Sequence, residues 1–265
     1  MAASAFRRLY NLEWVGAGCD GPRGSLPGTS TDDTVGTYAT DYAVAVVGFV
    51  TAAALLCNHS LPRSHKLCGA SFFAWTAFGY GVAGALRQSL REDELSPTHR
   101  FAWTVSFVST LIGIISFQLL ANSVLVARFP SLARCGKYIL VVSLVLFVIV
   151  IDYNIFAGAS FLVTGAYSLA VLLYASVVFG LASEFAKLSG CALMITGMVV
   201  QAALSSRCGD AAYRNCFTDC PLPAPQFNHN ALFHTLLALG LVVLGVAMHA
   251  SPHASQKAGH MSPAV

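Results

Sequence analysis

Apolar residues in this chain come in long blocks, not in alternating positions or narrow stripes. A Gly-, Ser- and Thr-rich stretch ends near residue 40, where DYAVAVVGFVTAAALLC begins. Six more apolar blocks follow, at about 67–87, 102–127, 138–157, 159–182, 186–206 and 228–249. Each is long enough to cross roughly 30 Å of hydrocarbon at ~1.5 Å per helical residue. A chain in lipid must satisfy its own backbone groups, so every block is expected to be an α-helix. The predicted fold is an all-α, polytopic membrane protein: a seven-transmembrane helix bundle over 40–249, with flexible tails over 1–39 and 250–265. The fourth and fifth blocks touch, which places a tight turn near Gly158.

Composition reinforces this picture. Hydrophobic residues make up 56% of the chain and charged residues only 10%, against about 25% charge in an average soluble domain. Mean hydropathy is +0.66. The net charge of +3 is small and no Lys/Arg run is present, so nucleic acid is excluded as a partner. The lipid bilayer is the expected environment. MAASAFRRLYNLEWVGAGCDG has no apolar core of signal length, so the first span is expected to act as the targeting signal. Gly79, Gly81, Gly84, Gly190 and Gly197 are candidate points of close helix approach.

Seven spans put the termini on opposite sides. Arg63, Lys66, Arg128, Arg134, Lys137 and Lys187 lie in short loops on the C-terminal side, which favours that side as cytosolic. Cys19, Cys208, Cys216 and Cys220 all fall on the N-terminal side, three of them in CGDAAYRNCFTDC. Such clustering suggests disulfides in an oxidising space, with the pairing open. Both signals place the N-terminus in the lumen or outside the cell and the C-terminus in the cytosol. The sequon at Asn58 would then lie on the cytosolic side and stay unglycosylated.

Polar residues inside the spans are the candidate chemistry, because they are costly there. Asp41, Arg87, Gln88, Asp152, Gln201, Asn228, His229, Asn230 and His234 come from five blocks and gather at the N-terminal membrane face. Gln118 and Asn122 lie deeper or nearer the other face. Asp152, in IVIDYNIF, ends a long apolar run and is expected to be neutral or paired, with His234, His229 and Arg87 as partners. In FNHNALFH, positions four apart share a helical face, so Asn230 and His234 point together. Asn228 or Asn230 can cap the helix. Asn228, Asn230, Arg87 and Gln201 are candidate ligand-binding residues, and Asp152 and His234 candidate catalytic ones.

The block FNHNALFH before an apolar helix, together with Asp152-Tyr153, resembles a family of uncharacterised seven-helix membrane proteins with an FNHN-x-x-x-H last-helix motif. That family is distantly similar to the superfamily of alkaline ceramidases and progestin/adiponectin-type receptors. The resemblance implies a zinc site built from a second-span His and a last-span HxxxH. Here His234 fits the second His of that pair, Asn230 stands at the first, and the second span has no His. Zinc held by His229, His234, Asp152 and water is the metal site these residues allow. Two functions follow. One is a non-enzymatic bundle whose polar cluster binds a small or lipidic ligand. The other is a metal-dependent hydrolase of lipid amides or esters.

Overall fold

The computed structural model of the protein describes residues 35–89, 96–158, 160–208, 220–223 and 227–250. Among these are seven long helices: α1 Val35–Cys57, α2 Arg63–Ser89, α3 Pro97–Arg128, α4 Ala133–Asp152, α5 Phe161–Leu181, α6 Phe185–Cys208 and α7 His229–Ala250. No strand occurs among the described residues. Most of both expected tails, residues 1–34 and 251–265, lies outside the described residues, and α1 begins at Val35, ahead of the expected boundary.

Six of the seven helices are long and apolar enough to cross a membrane. This is the architecture of an integral, multi-pass membrane protein. The exception is α2. Arg63, His65, Lys66 and Arg87 polarise its ends, and its middle is rich in Gly, Ser and aromatic residues. α2 is packed between α1 and α3, with Leu67, Trp75 and Phe78 along it exposed.

Glycine sets how closely that part of the bundle packs. A Cβ on Gly48 of α1 would lie 2.8 Å from the Phe73 carbonyl oxygen of α2. Between α2 and α3 the contact is reciprocal. A Cβ on Gly79 would meet Thr110 Oγ1 and the Ser106 carbonyl, and one on Gly113 would meet Thr76 Oγ1 and the Phe72 carbonyl, all within 3.0 Å. Gly190 of α6 and Gly240 of α7 face each other in the same way. Close backbone approach is what drives helix association where lipid tails remove the hydrophobic advantage. Stacked Phe72 and Phe117, with Phe179 edge-on, fill the centre.

α4 is held differently. Only Gly136, Ser143 and Val150 are buried along it, seven residues apart. The Ser143 hydroxyl donates to Gln118 Oε1 of α3, and Tyr167 Oη of α5 lies 3.3 Å from it. Tyr174 Oη donates to Asn122 Oδ1 at 3.1 Å. Gln118 and Asn122 thus fasten α4 and α5 to α3.

α4 ends in a π turn over Tyr153–Ala157, followed by Gly158 at φ +113°. That backbone favours glycine, and it makes the expected tight turn. Asn154 Oδ1 accepts from Ser160 N at 2.8 Å and braces it. At the opposite end the α5–α6 corner closes with Glu184 N donating to the Phe179 carbonyl and Ser183 N to the Gly180 carbonyl. This is the Schellman pattern, with Ser183 in the left-handed position.

Candidate functional site

The N-terminal end of the bundle, where α1, α3, α5 and α7 begin, holds the charged cluster. Asp41, one and a half turns into α1, is fully buried. A carboxylate there requires partners, since an unpaired buried charge costs several kcal/mol. Arg87, in the last turn of α2, donates from Nη1 to Asp41 Oδ2 at 2.5 Å. Its guanidinium also lies 5.3 Å from the centre of the Trp103 ring on α3. His234 of α7 brings Nδ1 to 3.1 Å from Asp41 Oδ1. Thr40 Oγ1 is 3.4 Å from the same nitrogen, and Tyr80 stacks edge-on against the imidazole. Asp41 therefore clamps α1, α2 and α7 together.

α7 enters through a cap. Asn228 Oδ1 accepts from Ala231 N at 3.1 Å and from Thr37 Oγ1 at 3.1 Å, so one side chain caps α7 and ties it to α1. His229 and His234 are both buried. They are five apart, yet His229 turns inward because it is the first helical residue. Asn230 Oδ1 accepts from Gln201 Nε2 of α6. Gln201 is itself buried, and its Oε1 has no donor among the described residues.

These groups open onto a cavity of about 520 Å³, within the range of small-molecule sites. One end is lined by Asp41, Arg87, Gln201, Asn228, His229, Asn230 and His234, and the other by Phe72, Ile114, Leu172 and Met194. From Trp103 to Ile114 on α3, or Phe161 to Leu172 on α5, the lining spans eleven residue steps, or about 16 Å along the helix axis. A charged, hydrogen-bonding end and an apolar end lie about half a bilayer apart.

All four expected ligand-binding residues, Asn228, Asn230, Arg87 and Gln201, thus meet at one cavity together with His229 and His234. Asp152 does not. It is exposed at the end of α4 and is absent from the cavity lining. Asp41 takes the place expected of it as partner of His234 and Arg87. The reason is α4's outer position: its end lies away from α7. The expected zinc set therefore does not assemble, because its carboxylate is elsewhere. Among the described residues no three His, Cys, Asp or Glu side chains converge as metal ligands. Near the polar end, Cys208 pairs with Cys220 in a disulfide. Cys19 and Cys216 lie outside the described residues.

Sequence reasoning missed Thr37, Tyr80, Trp103 and Phe161, which surround the cluster. Their only signal was helical spacing, shared with every packed residue on those helices.

Fold and site together define a multi-pass helical membrane protein with a charged cluster at one end of a cavity inside the bundle. The chain belongs to a family of unknown function, DUF6962, whose model matches residues 36–252. No curated protein and no solved structure matches it.

Proposed function

We propose that this protein binds an amphiphilic ligand within the membrane. The ligand's polar end sits among Arg87, Gln201, Asn230 and His234, and its apolar part extends toward Leu172 and Met194. The cavity, polar at one end and apolar at the other, carries this reading. All seven helices cross the bilayer in it, α2 included. The N-terminus is lumenal or extracellular, which suits the Cys208–Cys220 disulfide at that end. The experiment is native mass spectrometry of the protein released from nanodiscs, followed by binding of a photoactivatable long-chain fatty acid. Wild type should label saturably, and Leu172→Trp, which fills the apolar end, should not. Equal, non-saturable labelling of both would sink the reading.

A second reading rests on Asp41 and His234. A carboxylate beside an imidazole at a cavity wall is the minimal unit of general-base catalysis. His234 would take a proton from water as it attacks a lipid amide or ester carbonyl, then return it to the leaving amine or alcohol. That would keep the likeness to alkaline ceramidases without their three-His zinc set, and with Asp41 instead of Asp152. Turnover of a fluorogenic long-chain amide or ester by wild type, absent in His234→Ala, would establish it. Binding without turnover would leave the first reading alone.

A further inference from the structure

We infer that the ligand reaches the cavity sideways from the bilayer, through a portal between α5 and α6 closed by Phe161 and Met198, and that it is a membrane-dissolved single-chain amphiphile. This rests on the binding reading above. Phe161 lines the cavity and is 47% exposed. It is the first residue of α5, at the edge of the lining. Its neighbours Phe156 and Leu162 are 81% and 72% exposed. Apolar residues so exposed face lipid in a membrane protein, so what lies outside this edge is the bilayer.

One turn deeper is Gly165, which also lines the cavity. A Cβ there would meet nothing closer than Met198 Cε at 3.7 Å and Phe161 Cε1 at 4.0 Å. Around that Cβ there is only a methionine side chain and a phenylalanine ring, and no backbone atom of α6 within 4 Å. Methionine has three rotatable bonds and adapts readily, so this wall moves without moving a helix. Elsewhere the contrast is sharp. Between α2 and α3, and between α6 and α7, added Cβ atoms would strike backbone oxygens within 3.0 Å. Those seams cannot part without breaking helix contacts. The α5–α6 corner is fastened at the far end by its Schellman turn, so any opening falls at the end near the cluster. A ligand passing there needs an apolar chain to cross the wall and a polar end that stays near the membrane face. It moves head-outward, and its head is delivered to Arg87 and Gln201.

The test uses full-length protein in nanodiscs containing a photoactivatable, clickable palmitic acid. The readout is the half-time to each variant's own labelling plateau. Gly165→Phe should thicken the wall and slow loading by about tenfold or more, as expected when binding must wait on a larger rearrangement. Phe161→Ala should thin it and speed loading. Phe161 is surface-exposed, so this variant remains informative if Gly165→Phe fails to fold. Wild-type half-times in both variants, with Leu172→Trp still abolishing labelling, would overturn the portal and leave the cavity standing. Saturable labelling of Leu172→Trp at the wild-type level would instead overturn the binding reading itself.

Discussion

α1, α2, α3, α6 and α7 are joined by glycine seams and an ion pair, whereas α4 hangs on α3 by a few polar bonds and α5 packs through larger side chains such as Leu172 and Phe179. The glycines of the two groups show the difference. Gly79, Gly113, Gly190 and Gly240 each have backbone or near-backbone atoms within 3.0 Å of where a Cβ would stand; Gly136 of α4 meets only side chains, Asn122 and Leu125, and Gly165 and Gly180 of α5 have nothing nearer than 3.7 Å. In lipid, close packing takes the role that burial from water plays in a soluble core. The tight group therefore carries the stability and places the charged cluster. The loose group supplies the wall that yields. The cavity lies where the two meet.

The comparison breaks most readily at the ion pair. Removing one partner of a buried pair typically costs about 3–5 kcal/mol. Arg87→Ala and Asp41→Ala should each lower the melting temperature in detergent strongly, and the double variant should lose less than the sum. Additive losses would mean that the two side chains do not act as a unit. Next come the seams. Gly113→Leu and Gly240→Leu should cost ~1–3 kcal/mol or more from overpacking. Gly180→Ala in the loose group should stay within about 0.5 kcal/mol of wild type. Equal effects in both groups would erase the distinction.

Smaller still is the loss of one hydroxyl clip. Ser143→Ala should cost about 0.6 kcal/mol, the average for interhelical hydrogen bonds in membranes. Because α4 has so few other anchors, it should also increase proteolysis or hydrogen exchange in α4 selectively. Unchanged exchange in α4 would show that Ser143 does not fasten it. Smallest is Asp152→Ala. An exposed side chain outside the cavity should leave stability within about 0.5 kcal/mol and ligand labelling unchanged. A large loss of labelling would return Asp152 to the site.

Asn58 offers a check on orientation. Its Nδ2 donates to the His249 carbonyl at 3.2 Å, and its Oδ1 accepts from Ser60, so the sequon asparagine ties the end of α1 to the end of α7. The expected result is no mobility shift on glycosidase treatment of protein made in eukaryotic cells. A shift would place that end in the lumen and reverse the proposed topology.

Helix positions, the turn at Gly158, the capping role of Asn228 and the gathering of polar residues at one end were legible in the sequence. They are local or one-dimensional properties: block length against bilayer thickness, a glycine between two runs, and depth counted along each helix. Depth told which residues share a membrane face, but not which helices are neighbours. Asp41 and Asp152 lie at similar depth, and hydropathy favoured Asp152 because its flanks are more apolar. Apolar flanks on every side are the mark of a lipid-facing helix, and α4 is one. The neighbour relations came from glycine seams that no single helix displays. They seat α1 between α2 and α7, bring Asp41 to Arg87 and His234, and leave a cavity against α5. Sequence by itself determined where the long apolar helices run, where they turn and which end is charged. Only the tertiary structure decided which carboxylate is the buried one, because that depends on who packs against whom.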